Sequence, residues 1–111
     1  MKKNPTIAIV DSGVGNLWSV LKAVRRFAPS VYITEEAEKI EAADAIILPG
    51  VGTFKAGMDG LAVRGLIKPI KAAAKRGVPI LGICLGAQLL LERGYEFGEH
   101  QGLGLIKGEV V

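Results

Sequence analysis

The sequence of 111 residues contains one cysteine and one histidine. A lone cysteine excludes an internal disulfide and accords with a reducing compartment. No apolar run is long enough to span a membrane. The opening Met1-Lys2-Lys3-Asn4-Pro5 carries charge, but the apolar segment behind it is only Ile7-Ala8-Ile9-Val10 before Asp11 interrupts it. That is too short for the core of a signal peptide, so the chain is expected to be cytoplasmic, with no membrane partner. Neither sign of charge is in large excess: 14 Lys and Arg stand against 11 Asp and Glu, a balance of +3 spread along the chain. Nucleic acid is therefore not an expected partner. The densest basic stretches, Arg25-Arg26 and residues 71–76, fall on helical patterns and read as solvated faces. Repeats and low-complexity tracts are absent. Half of the residues are apolar, enough for a core of ordinary size in one domain.

What is present is a run that changes character at one point. Pro79-Ile80-Leu81-Gly82-Ile83-Cys84-Leu85-Gly86-Ala87-Gln88-Leu89-Leu90 begins as an apolar strand pattern, breaks at Gly82 and resumes as a helical pattern after Gly86. This predicts a nucleophile elbow with sulfur in place of oxygen. Glycines two residues either side of Cys84 let backbone pass close to backbone and permit the unusual dihedrals of such a turn. The amide dipoles of the following helix favour a thiolate, the attacking form. An isolated cysteine is often a buried core residue; the flanking glycines and the strand-to-helix switch favour a reactive thiol here.

The remainder of the chain alternates. Ile7-Ala8-Ile9-Val10 suits a parallel strand covered on both faces. After the glycine turn at 11–16, Leu17, Val20, Leu21, Val24 and Phe27 recur at helical spacing. Val31-Tyr32-Ile33 reads as a second strand, residues 35–41 are compatible with a short helix, and Ala45-Ile46-Ile47-Leu48 is a third strand closed by Pro49-Gly50-Val51-Gly52. Helical patterns follow at 54–58 and 66–75, with Pro69 near the start of the latter and Gly77 at its carboxyl-terminal cap. Residues 80–83 form the fourth strand and 87–93 a helix. Residues 94–104 read as loop, and 105–111 as the start of another strand. Alternating strands and helices predict a doubly wound, mainly parallel α/β sheet with helices on both faces and right-handed crossovers. Function in such sheets gathers at the carboxyl ends of the strands. Three glycine-bearing turns, at 13–15, 50–52 and 82–86, lie at that edge.

A thiolate attacking a carbonyl creates an oxyanion that needs donors already in place. Elbow geometry supplies the backbone N–H of Leu85; the bare Pro49-Gly50-Val51-Gly52 loop offers the N–H of Gly52, although the same residues also suit an ordinary turn after a strand. Asp11-Ser12-Gly13-Val14-Gly15 lacks the third glycine of a dinucleotide-binding turn, so no such site is expected. Gln88 lies one turn beyond Cys84 on the same helix face, where its amide can point toward the thiol or simply be a polar surface residue. His100, the only histidine, sits in Gly98-Glu99-His100-Gln101-Gly102 with no regular element to position it, and reads as an exposed loop residue rather than a base.

These residues carry a resemblance. Cys84-Leu85-Gly86-Ala87-Gln88-Leu89-Leu90 resembles the signature of class I (triad) glutamine amidotransferases. Asp11-Ser12-Gly13-Val14-Gly15-Asn16-Leu17, Leu48-Pro49-Gly50-Val51-Gly52-Thr53-Phe54 with Gly57-Met58, and Gly102-Leu103-Gly104-Leu105-Ile106 with Gly108 and Val110 narrow it to the glutaminase subunits of imidazole glycerol phosphate synthase, of histidine biosynthesis. The match runs over nearly the whole chain. It implies a flavodoxin-like half of an amidotransferase domain, and it implies that Cys84 attacks the side-chain amide of glutamine to give a glutamyl thioester and ammonia. By the same resemblance Gly52 and Leu85 form the oxyanion hole, and Gly50, Gln88 and Glu96 hold the substrate. Asn16 lies near the interface with a (β/α)8-barrel cyclase subunit that receives the ammonia. Family members are activated when that partner carries its ligand, partly through reorientation of the loop at 49–52. Neither metal nor cofactor is implied.

The sequence departs from the family in one respect. The family's catalytic His and Glu lie in a His-x-Glu-type segment well downstream of the cysteine, beyond the last residue here, Val111. Residues 1–111 are thus expected to be the amino-terminal part of a longer glutaminase domain or a half-domain, with negligible turnover alone. Loss of proton transfer to the leaving ammonia typically costs ~10²–10⁴-fold. A partial sheet would leave an open edge and an apolar face that invite self-association. Two other readings remain open: a cysteine hydrolase or stress-response protein resembling the DJ-1/PfpI superfamily, with Asp11 approaching the thiol, and a non-catalytic scaffold that keeps the partner-binding surface.

Overall fold

The apolar tetrapeptide Ile7-Ala8-Ile9-Val10 is strand β1 (Ile7–Val10), and its side chains divide cleanly between two cores. The structure, a computed structural model, describes residues 4–13 and 15–111. The expectations for the charged start Met1-Lys2-Lys3, and for Val14 within the first glycine turn, lie outside the described residues.

In chain order β1 is followed by α1 (Leu17–Arg25), β2 (Val31–Thr34), α2 (Ala37–Ala42), β3 (Ala45–Gly50), α3 (Phe54–Val63), α4 (Ile67–Lys75), β4 (Ile80–Cys84), α5 (Leu85–Leu89), β5 (Arg93–Gly94), β6 (His100–Gln101) and β7 (Glu109–Val110). Strands β1 to β4 form one parallel sheet in the order β2-β1-β3-β4. Side chains alternate across its faces. Ala8, Val10, Ile46 and Leu48 enter a large core with residues of α2, α3, α4 and α5, among them Ile40, Phe54, Ile70 and Leu89. Ile9, Val31 and Ile47 face the other way, against Leu17, Val20, Leu21 and Val24 of α1. Helices therefore lie on both faces, as the doubly wound pattern requires. The structural neighbour described below shares the same fold.

Several boundaries differ from the sequence reading: β3 runs on to Gly50, α3 runs on to Val63, the last strand is only Glu109–Val110, and two helix ends move. Phe27 does not join the apolar stripe of α1; the helix ends at Arg25, Phe27 is 88% exposed, and the small Ala28 tucks in instead. The helix after Cys84 stops at Leu89 rather than continuing to residue 93. Backbone amides of a later segment capture the carbonyls that would have continued it: Leu103 donates to Leu89, Leu105 and Ile106 to Leu90, and Gly104 to Leu91. That frees Arg93 and Gly94 to form β5, the centre of a small second sheet ordered β6-β5-β7. Residues 94–104 are thus not simply loop.

Among the described residues β4 is an edge of the main sheet. It bears no charge along its length, and Leu81 is 58% exposed. None of the described helices is long and apolar enough to cross a membrane.

Candidate active site

Cys84 is the last residue of β4 and the cap of α5, with φ 55° and ψ −120°. Apart from Phe97 it is the only non-glycine residue with positive φ among those described. Such a backbone costs of order 1–3 kcal/mol and persists only where its surroundings hold it. The holding is visible in the two glycines. A Cβ on Gly86 would lie 1.7 Å from the carbonyl oxygen of Leu48, and one on Gly82 would lie 2.6 Å from the Cα of Ala87. The start of α5 therefore presses directly on β3 and β4, and the elbow closes with Cys84 exposed at its tip.

The three glycine-bearing turns do adjoin. Gly50 is the register partner of Cys84 across the β3–β4 ladder. A Cβ on Gly50 would stand 3.4 Å from the amide nitrogen of Gly86, and one on Gly15 would stand 3.3 Å from the Cα of Gly50. Gly52 follows in the exposed turn with φ 102°, and Val51 beside it is 59% exposed. Leu85 opens α5, so its backbone N–H belongs to the first helical turn, where amides have no intrahelical acceptor.

Gln88 and Glu96 also come together. Both line a hollow of about 330 Å³, with Tyr95, Val110 and Val111. Gln88 reaches it from α5. Glu96 reaches it from the residues after β5, and its Oε1 accepts from the N–H of Phe54, the first residue of α3, at 3.3 Å. Sequence patterning gave no signal for Tyr95 as a member of this wall. Asn16 stands apart from these residues as the cap of α1: its side-chain oxygen accepts from the N–H of Ser19 at 3.3 Å. With Asp11, Trp18, Arg25 and Tyr32 it borders a separate hollow of about 540 Å³, where Trp18 is 68% exposed.

Two other polar residues are accounted for. Oδ1 of Asp11 accepts from Gly13 N–H at 2.9 Å, closing its own turn. His100 is not in a structureless loop: it is half-buried in β6, opposite Gly94, and its Nε2 is buried without a hydrogen-bond partner among the described residues.

The model of the family described as glutamine amidotransferase class-I matches residues 8–102. The chain belongs to the class I glutamine amidotransferase family. Among its relatives is "Imidazole glycerol phosphate synthase subunit HisH 1" of Legionella pneumophila (strain Lens), 52% identical over 106 residues, which are 96% of this chain and 50% of that protein. "Imidazole glycerol phosphate synthase subunit HisH" of Lactococcus lactis subsp. lactis (strain IL1403) is 51% identical over 111 residues, 100% of this chain and 54% of that protein. This amidotransferase chain thus spans about half the length of the curated relatives it matches. Its fold is shared with a solved structure titled "Crystal structure of glutamine amidotransferase", at TM-score 0.79 and 19% identity, over 94% of this chain and 55% of that one.

Proposed function

We propose that this chain carries the glutamine-handling elbow of the glutaminase subunit of an imidazole glycerol phosphate synthase, in histidine biosynthesis, and that residues 1–111 are the amino-terminal part of that domain. The names of its relatives at about half identity support the assignment. The observation that carries it is the strained backbone of Cys84 directly opposite Gly50, with the start of α5 behind it.

In this reading the Cys84 sulfur attacks the side-chain amide carbon of glutamine. The N–H groups of Gly52 and Leu85 receive the developing oxyanion; donors fixed in advance around such a charge usually contribute more to the rate than any other single effect. The C–N bond then breaks, the nitrogen takes up a proton and leaves as ammonia, and a glutamyl thioester remains for water to cleave. Gly50, Gln88 and Glu96 hold the amino acid; the shared hollow of Gln88 and Glu96 supports that grouping. Asn16, beside the exposed Trp18, would face a (β/α)8-barrel cyclase subunit that takes up the ammonia. The proton transfers need a base, a role assigned to none of the described residues, so residues 1–111 alone should turn over glutamine negligibly. A reducing, cytoplasmic setting would suit the exposed thiol. The uncharged edge strand β4 supports a tendency to self-association.

The test is labelling of Cys84 by a diazoketone analogue of glutamine, which forms a carbon–sulfur bond with loss of nitrogen gas. Saturable labelling, competed by glutamine and absent in Cys84→Ser, is the expected result; labelling without saturation or competition would remove the substrate assignment. Ammonia release is measured alongside, with and without a ligand-bound barrel cyclase. Cysteine-dependent release would reveal a base within these residues, with His100 the first to examine.

A further inference from the structure

Tyr95, which lines the hollow with Gln88, shares one carboxylate with Arg93. Oε2 of Glu109 in β7 accepts from Nε of Arg93 at 2.8 Å and also from the hydroxyl of Tyr95. Arg93 and Tyr95 are two residues apart, so a strand presents them on one face, with Gly94 pointing to the other. On that other face a Cβ at Gly94 would lie 2.6 Å from Cγ of Phe54, which is packed in the core. The backbone is fastened as well: Arg93 pairs with Glu109 in the β5–β7 ladder, and the N–H of Tyr95 donates to the carbonyl of Val110 at 3.1 Å. The strand is thus held from both faces immediately before Glu96.

The consequence falls on Glu96. Glu96 lies in the turn that follows β5, and its carboxylate accepts from Phe54 N–H at the start of α3. A carboxylate at a helix amino terminus is favoured by the helix dipole. Residue 95, tied to Glu109 by its side chain and to Val110 by its backbone, thus anchors the chain immediately before Glu96, which lines the hollow it shares with Gln88.

We infer that Tyr95 is a positioning residue, locked by Glu109 and Arg93, that fixes the Glu96 carboxylate to receive the ammonium of an α-amino acid entering the hollow beside Gln88. The substrate half of this statement rests on the reading of Glu96 as a substrate-holding residue; the positioning half stands on the hydrogen bonds alone. The lock joins residues 14 and 16 positions apart in the sequence. Its carboxylate accepts from two donors, the cationic Arg93 and the neutral Tyr95, and hydrogen bonds to an ionised acceptor are the stronger kind. Ammonium recognition by a carboxylate depends steeply on placement, so loss of the lock should weaken binding without touching the thiol.

Two readouts test it, on Tyr95→Phe and Glu109→Gln. The first needs no substrate. In the wild type, the amide resonance of Phe54 should move with the titration of Glu96, by nuclear magnetic resonance, and Glu96→Gln should abolish that movement. In Tyr95→Phe and Glu109→Gln the movement should shrink to less than half. The second is the concentration dependence of Cys84 labelling by the diazoketone analogue. The half-saturating concentration should rise about tenfold, as expected for a disturbed charge-assisted contact, while the limiting rate and the rate of alkylation by iodoacetamide stay unchanged. An unaltered Phe54 titration in both variants overturns the positioning role. A shrunken titration with an unaltered half-saturating concentration overturns the substrate half. Wild-type labelling that does not saturate does so too, and it removes the glutaminase reading of the hollow while leaving the lock intact.

Discussion

Gly50 stands directly opposite Cys84 across the β3–β4 ladder, so the turn that carries Gly52 leaves the sheet at the level of the thiol. Strand register thus brings the elbow and the neighbouring loop together, and a Cβ on Gly52 would meet nothing within 4 Å. Several measurable consequences come from that arrangement.

The elbow tolerates no side chain behind the cysteine. In Gly86→Ala the new methyl would collide with the Leu48 carbonyl, which belongs to a central strand and cannot give way. A loss of roughly 3 kcal/mol or more is expected for such overpacking against backbone. Urea denaturation followed by circular dichroism measures it; a midpoint within error of wild type would show that α5 does not press on β3.

Cys84 itself should store strain. Replacing it by glycine removes the cost of φ 55° but loosens the unfolded chain, and the balance is a gain of about 1 kcal/mol. Cys84→Gly is thus expected to be more stable than wild type and inert to the diazoketone analogue. A variant less stable than the parent would mean that the thiol makes contacts worth more than the strain.

The Tyr95–Glu109–Arg93 lock gives a pH signature. Hydrogen bonds from Tyr95 and then Arg93 hold the Glu109 carboxyl below its ordinary pKa. That contribution is fully present above the ordinary glutamate value and is lost as pH falls through the lowered one. The bond to Glu109, with a smaller effect of burial, raises the Tyr95 hydroxyl above its ordinary value. Its contribution is present below the ordinary tyrosine value and is lost as pH rises through the raised one. The stability difference between wild type and Tyr95→Phe should accordingly be flat across neutral pH and shrink at both extremes, by denaturation at a series of pH values. A difference that peaks in acid would contradict the lock.

The exposed edge offers a fourth test. Leu81→Lys places a charge on an otherwise uncharged edge strand, the device by which natural sheets resist pairing. Sedimentation velocity should show the variant less associated than wild type at equal concentration, with a stability change of less than about 0.5 kcal/mol, as is usual for surface positions. Equal association in both would place any self-contact elsewhere.

Much of this architecture is legible in the chain because it is local. Four short apolar runs and the helical stripes between them define a parallel sheet clad on both faces, since strands buried on two sides leave no room for polar residues. The elbow is legible for a similar reason: glycines two positions either side of a cysteine, at a change of period, are a local pattern. The second sheet is not, because its strands are two residues long and carry no periodicity. Helix α5 is shorter than its sequence pattern suggests because nothing in residues 85–93 announces that the amides of residues 103–106 will take its terminal carbonyls.

The sequence by itself thus determined the sheet, the helices that cover it and the cysteine at its carboxyl edge, all of which follow from hydrophobic period and backbone freedom over neighbouring residues. Only the tertiary structure decided which polar side chains meet. Glu96 reaches Phe54 across 42 positions, and Tyr95 reaches Glu109 across 14. No local pattern encodes such pairs, because their proximity is set by how the core packs and where long-range backbone hydrogen bonds close.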